Sequence, residues 1–223
     1  MSNILLIETT SPVCSVGLLS DGELKMLLEE RGGNIHAARA PEFVDRIMAN
    51  YELDAIAVSS GPGSYTGLRI GVSLAKGLAY GKGIPLIAVP TLDAMAVYFV
   101  KIFPVSENAV VIPTVDARRM EIYAGVYDSG GKQLEEVKPV ILDENTFSEY
   151  GDREVFIMGS GADKTYETIS AKNKKKVSLL QSAANMVFLA QQMFENKEFA
   201  DVAYFEPFYL KQFLITKSKK KFF

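Results

Sequence analysis

Short apolar runs divided by turn formers open the chain. Residues 4–8, 13–19 and 23–29 read as three strands, with Ser11-Pro12 and Asp21-Gly22 between them, and hairpins are the simplest connection. Phe43, Val44, Ile47 and Met48 then recur on one side of residues 41–50. That spacing predicts a helix with Pro41 in its first turn, where a missing N–H is tolerated. Residues 55–59 form a continuous apolar run, the pattern of a strand covered on both faces. A glycine-rich break at 61–67, a helix over 68–80, a strand over 85–89 and a helix over 91–103 complete the series.

From residue 109 the same grammar restarts. Strands are expected over 109–115, 121–127 and 134–140, followed by a short helical stretch after Asp143. A buried strand over 155–158 then enters a second glycine turn, Gly159-Ser160-Gly161-Ala162. Leu180, Ala184, Val187, Phe188, Gln191 and Phe194 predict an amphipathic helix over 179–195, and the aromatic segment 204–213 is expected to pack back onto the first domain. Two β-β-β-α-β-α units in tandem predict an α/β chain of two actin-like domains (ASKHA, ribonuclease H-like), residues 1–104 and 105–223. A doubly wound α/β domain with an antiparallel extension stays open as the competitor.

Composition narrows the function classes. The 223 residues are 48% hydrophobic and 23% charged, with a formal charge of −3. One cysteine (Cys14) and one histidine (His36) cannot build an intrachain disulfide or a zinc scaffold, so a reducing, cytoplasmic setting is expected. With no apolar run of membrane-spanning length and no basic segment before Glu8, neither a span nor a signal peptide is expected. Lys217, Lys219, Lys220 and Lys221 leave the rest of the chain more acidic, which argues against a primary nucleic-acid binder.

The sharpest motif is Gly61-Pro62-Gly63-Ser64-Tyr65-Thr66-Gly67-Leu68-Arg69. Its glycines and the helix it launches could cradle a phosphate. However, it lacks the P-loop ending, Thr66 stands where a G-x-G-x-x-G motif needs its third glycine, and Pro62 removes an N–H donor. A tight turn that launches a helix is the preferred reading. In that helix Gly67, Gly71, Ala75 and Ala79 fall every four residues beside an apolar row of Ile70, Leu74 and Leu78. An interior glycine costs about 1 kcal/mol relative to alanine, so close packing must offset Gly71 and Gly77. Spacing alone favours packing against the domain's own core over a helix of another subunit.

Catalytic candidates are few. His36 is expected as a surface or helix-start residue, with general-base use open, and Cys14 as a packed thiol. Glu8 ends the first strand where a superfamily enzyme would carry a metal-positioning carboxylate, but the following Thr9-Thr10-Ser11 has no glycine to admit a phosphate. Gly159, Ser160 and Gly161 are weak candidates for holding adenosine. The charges of Asp116-Ala117-Arg118-Arg119 are expected to pair locally, with an interaction role open.

Several of these stretches together carry a resemblance. They are Glu8-Thr9-Thr10-Ser11; Leu53-Asp54-Ala55-Ile56-Ala57-Val58 running into the GPGSYTGLRIG motif; Lys76-Gly77-Leu78-Ala79-Tyr80; Ile84-Pro85-Leu86; and Thr91-Leu92-Asp93-Ala94. Asp116-Ala117-Arg118 with Glu121 and Tyr123, Gly159-Ser160-Gly161, and Pro207 with Tyr209-Leu210-Lys211 extend them over nearly the whole chain. In this order they resemble the TsaB (YeaZ) family, partner subunits in the biosynthesis of threonylcarbamoyladenosine on tRNA. The family usually has aspartate at Glu8 and often serine at Ala37.

The resemblance implies a two-domain actin-like scaffold without catalysis or a cofactor of its own. It would bind the catalytic paralogue TsaD, which carries a metal-binding histidine pair absent here, and help recruit the ATPase TsaE. A homodimer is implied when the paralogue is missing, and tRNA contact is only indirect. The family's contact is a helical bundle, which carries onto Pro41, Val44, Ile47 and Met48 of one helix and Thr66, Gly67, Arg69, Ile70, Gly71, Ser73 and Lys76 of the next. On that basis a partner helix would fill the small-residue row, and leucine at Gly71 would weaken association in a folded monomer. The alternative is a small-molecule kinase or ATPase of the same superfamily, and a proteolytic role has no nucleophile, base and orienter set to support it.

Overall fold

The structure, a computed structural model, describes residues 2–209. Three antiparallel-connected strands begin the chain, β1 (Asn3–Glu8), β2 (Val13–Ser20) and β3 (Glu23–Arg31). They are followed by α1 (His36–Met48), β4 (Ala55–Gly61), α2 (Tyr65–Lys82), β5 (Leu86–Pro90) and α3 (Thr91–Ile102). The first sheet has the order β3-β2-β1-β4-β5, with β4 parallel to β1 and β5 parallel to β4. The second half repeats this plan in β6 (Val110–Asp116), β7 (Glu121–Asp128), β8 (Gln133–Ile141), β9 (Val155–Gly159), α4 (Ala162–Thr168) and β10 (Lys174–Lys176). Its order is β10-β9-β6-β7-β8, again with an antiparallel meander on one side of the first strand and parallel strands on the other.

Burial explains the element pattern. The residues of β1 and β4 are almost all buried because both faces of the first sheet are covered. On one face Leu5, Ile7, Val16, Ile56 and Val58 meet Phe43, Val44 and Ile47 of α1 and Val72, Ala75 and Ala79 of α2. On the other face Ile4, Leu6, Ala57 and Val89 meet Ala183, Met186, Val187 and Ala190 from the C-terminal part of the chain. α3 lies between the sheets: Ala94 belongs to that second layer, while Leu92, Met95 and Phe99 pack on Val111, Val115 and Tyr127 of the second sheet. The Tyr127 hydroxyl donates a short hydrogen bond to the Asp93 carboxylate, tying β7 to the first turn of α3. Burial holds the Asp93 carboxyl above its ordinary range and raises the Tyr127 phenol further from titration.

Two local expectations change. α1 begins at His36, so Pro41 lies inside the helix rather than in its first turn. The carbonyl four residues earlier belongs to Ala37, an exposed residue, so the bond that proline cannot make is lost on the solvent side of the helix. The helix expected over 179–195 is a 3₁₀ turn, Ala183–Met186, leading into α5 (Val187–Glu195). Ser182 and Asn185 form a capping box that starts it late, and the stretch before it is extended, with Gly159 donating to the Leu179 carbonyl at 2.8 Å. Lys174, Lys175 and Lys176, for which no strand is expected, form the edge strand β10, in keeping with lysine's use at sheet edges. The tail lysines and residues 210–213 lie outside the described residues.

Candidate functional site

Two places concentrate the unusual residues: a cleft between the sheets and the α2 helix beside it. The cleft, of about 790 Å³, is lined from one side by Thr10, Ser11, His36 and the Gly63–Gly67 stretch, and from the other by Asp116, Arg118, Tyr123, Gly159 and Ser160. Its floor is the turn after β1. The Thr9 hydroxyl donates to the Gly67 carbonyl at 2.8 Å, and Ser64 N–H donates to the Thr10 carbonyl at 2.7 Å. A Cβ on Gly67 would run into the Thr9 carbonyl, one on Gly71 into the Thr9 hydroxyl, and one on Gly63 into Thr10. The glycine motif is therefore a seat for the Thr9-Thr10 turn, which is why glycine recurs there.

Glu8 sits behind this floor, 2% exposed. Its carboxylate accepts Thr10 N–H at 2.5 Å and a short bond from the Ser59 hydroxyl, which also contacts the Met186 sulfur at 3.7 Å. Burial pushes the Glu8 carboxyl above its ordinary range, against the opposing pull of those hydrogen bonds. A carboxyl so enclosed is a structural acid rather than an open metal ligand. Among the described residues no group of three or more His, Cys, Asp and Glu side chains is placed to hold a metal ion.

His36 begins α1, as the helix-start reading expects, and is buried rather than on the surface. Its Nε2 lies 2.8 Å from the Ser11 carbonyl oxygen, while the Ser11 hydroxyl accepts Val13 N–H at 3.1 Å. The imidazole thus faces a backbone oxygen and pairs with no hydroxyl nucleophile there. Cys14 lies in β2 within the core, its thiol pushed up to about 11 by burial.

At the opposite lip the Asp116 carboxylate pairs with Lys164 at 2.7 Å and accepts Arg118 N–H at 2.6 Å. Burial alone would raise that carboxyl, but the two hydrogen bonds and nearby positive charge bring it below its ordinary range. Arg118 and Arg119 both hold left-handed backbone, at φ 71° and 49°. Lys164 braces that turn by donating to the Arg119 and Glu121 carbonyls. The candidate adenosine turn lines the cleft and needs its glycines for close packing: a Cβ at Gly159 would strike the Thr114 carbonyl, and one at Gly161 would lie 3.0 Å from Ile122. Ser160 accepts Asp116 N–H at 3.1 Å.

The carried-over interface residues divide into two groups. Val44, Ile47, Gly67 and Gly71 belong to the molecule's own interior, so the expectation that they meet a partner helix is corrected. The four-residue spacing points to the right neighbour, the domain's own core, and leucine at Gly71 would strain the monomer. Thr66, Arg69 and Ser73 are exposed on the other side of α2; Pro41, Met48, Ile70 and Lys76 are half-buried. Gly77 and Gly81 lie on the open side, where an added Cβ would meet nothing within 4 Å. Ser73, Gly77 and Gly81 thus make a second, outward small-residue row at four-residue spacing.

Sequence reasoning assigns no role to Tyr65, Phe208 or Tyr209. Tyr65 lies between the Arg69 guanidinium, 4.1 Å from its ring centre, and the Tyr209 ring at 5.0 Å. Phe208 N–H donates to the Ser60 carbonyl at 2.7 Å. The one signal that could have found them is the aromatic character of the C-terminal segment and its expected return onto the first domain.

Duplicated mixed sheets around a cleft, with α3 between them, define a two-domain actin-like α/β protein. The family model for TsaD, described as tRNA N6-adenosine threonylcarbamoyltransferase, matches residues 30–150. The tRNA threonylcarbamoyladenosine biosynthesis protein TsaB of Haemophilus influenzae is 31% identical, covering 93% of each chain. TsaB of Escherichia coli is 33% identical over 93% of this chain and 94% of its own. YeaZ from Pseudomonas aeruginosa superposes with a TM-score of 0.78 at 26% identity, covering 94% of this chain and 100% of that one. A second P. aeruginosa structure, an uncharacterized protein with similarity to peptidase YeaZ, gives 0.81 at 26% identity over 95% and 100%. The chain belongs to the TsaB (YeaZ) family.

Proposed function

We propose that this protein acts in the biosynthesis of threonylcarbamoyladenosine on tRNA as a cytoplasmic, non-catalytic subunit that binds a TsaD-type paralogue and helps recruit a TsaE-type ATPase. Kinship with TsaB proteins along almost the full chain carries the pathway. The observation that supports a scaffold is the way potential chemistry is spent on structure: Glu8 is enclosed by Thr10 and Ser59, His36 faces a carbonyl, and the glycines of both turns pack closely against neighbouring backbone and side chains.

The surface assigned to the paralogue is the outer side of α2, with Thr66, Arg69, Ile70 and Ser73 and the open positions Gly77 and Gly81, flanked by Pro41 and Met48 of α1. Small residues at four-residue spacing let a second helix approach closely, and Arg69 supplies a directional polar contact. In the paralogue's absence a second copy of this chain would use the same face. Reconstitution tests the reading: purified TsaD-type and TsaE-type proteins, tRNA, ATP and the threonylcarbamoyl donor system are assayed for modified adenosine with and without this chain. Product that depends on the chain is expected; equal product without it, or modification by the chain alone, would overturn the proposal.

A further inference from the structure

The turn from β6 into β7 is held in a conformation that its residues disfavour. Arg118 and Arg119 both adopt the left-handed backbone region, at φ 71° and 49°, where an L side chain crowds the following carbonyl. Such backbone persists only where its surroundings fix it. Arg118 N–H donates to the Asp116 carboxylate at 2.6 Å, Glu121 N–H to the Arg118 carbonyl at 3.1 Å, and Leu142 N–H to the Met120 carbonyl at 2.7 Å. The Lys164 ammonium donates to the Asp116 carboxylate and to the Arg119 and Glu121 carbonyls, at 2.7, 3.0 and 2.6 Å.

None of these contacts uses an arginine side chain. The nearest carboxylate in sequence, Asp116, is taken by Lys164 and by a backbone N–H, and among the described residues neither guanidinium forms an ion pair or a hydrogen bond. Glycine at either position would keep the same backbone bonds at less conformational cost, so the geometry of the turn does not account for arginine. The side chains of Arg118, Arg119 and Met120 are all exposed, and Arg118 lines the cleft.

Arginine and methionine are both enriched at protein interfaces, and a backbone already fixed has little ordering left to lose on binding. Lys164 and Lys176 are paired with the lip residues Asp116 and Asp163, so neither extends the positive charge of the turn. Two guanidiniums beside one apolar side chain match two carboxylates on a peptide segment better than the long phosphate row of a nucleic acid.

We infer that the Arg118–Met120 turn is a docking point for an acidic segment of a second protein partner, whose carboxylates pair with the two guanidiniums while an apolar neighbour covers Met120. This rests on the proposed function: with the outer side of α2 assigned to the paralogue, the occupant is the TsaE-type ATPase.

Fluorescence anisotropy of labelled TsaE-type protein, titrated with the preformed complex of the full-length chain and its paralogue, measures this contact. Arg118→Gln combined with Arg119→Gln removes both charges and keeps most of each stem. Melting temperature and paralogue binding should be unchanged, while affinity for the ATPase falls about tenfold or more and loses most of its salt dependence. Arg118→Lys with Arg119→Lys should retain the salt dependence. Unchanged ATPase affinity in the glutamine variant, a loss confined to the paralogue or to added tRNA, or a lowered melting temperature would overturn the inference, as would a chain and paralogue complex that captures no ATPase. Failure of the unaltered chain to bind its paralogue, seen before the ATPase is added, would instead remove the proposed function and this inference with it.

Discussion

At the scale of single residues, the small-residue row and Glu8 show how packing claims groups that sequence alone offers to chemistry. Gly71 faces the Thr9 hydroxyl, so Gly71→Leu should destabilise the monomer by about 3 kcal/mol or more, since the added atoms meet a docked turn rather than open space. Urea unfolding of the variant alone measures this; an unchanged midpoint would mean the turn moves aside freely. Glu8 makes a different prediction. Its carboxyl titrates above the ordinary 4.5 when folded, so the stability linked to its proton is fully present below that pH and is lost as pH rises through the folded value. Glu8→Gln keeps an acceptor for Thr10 N–H and places a donor toward Ser59. Its stability should therefore fall less than that of the unaltered chain as pH rises above 4.5, as followed by thermal unfolding across pH.

The residue identities at these positions are legible in the sequence, but their partners are not. Four-residue spacing predicts close packing of Gly67 and Gly71, and only the fold shows Thr9 as the neighbour. His36 reads as a helix start, and it is one. Its burial depends on the turn after β1 returning over it, a contact spanning 25 positions.

At the scale of elements, strands are read well because alternating or continuous burial leaves a period in the sequence. The strands of the first meander and of its repeat fall within two or three residues of their expected bounds. Helix ends are read less well. Pro41 suggests a start that an exposed Ala37 carbonyl makes unnecessary, and the Ser182 cap overrides an apolar period that continues upstream of it. β10 is hidden because three consecutive lysines carry no strand signature; its register comes from pairing with β9.

The latch between α3 and β7 is likewise a long-range product, joining residues 34 positions apart. Tyr127→Phe removes the donor and leaves the partly buried Asp93 carboxyl without that hydrogen bond. It should cost about 1–3 kcal/mol, the range for stranding one buried polar partner. Asp93→Asn in the same background should recover part of the loss; a double variant no better than Tyr127→Phe would show that the carboxyl is not the stranded group.

For the whole molecule, the duplicated architecture is visible in the element order before any contact is known. The two halves share strand order and the parallel and antiparallel sense of each pairing. What the order does not contain is the route of the chain after β10. Ala183–Met186 and α5 cover the first sheet, and residues 200–209 return along α2, so the C-terminal part is built into the first layer set. They leave Thr66, Arg69 and Ser73 on the outer side of α2 exposed. No helix among the described residues is long and apolar enough to cross a membrane.

The most direct measurement is sedimentation velocity of this chain mixed with its TsaD-type paralogue, repeated with Ser73→Trp on the outward row of α2. A heterodimer with the unaltered chain is expected. The variant should keep its melting temperature, because Ser73 is exposed, and lose the faster-sedimenting species. No complex with the unaltered chain, or an undiminished one with the variant, would contradict the account.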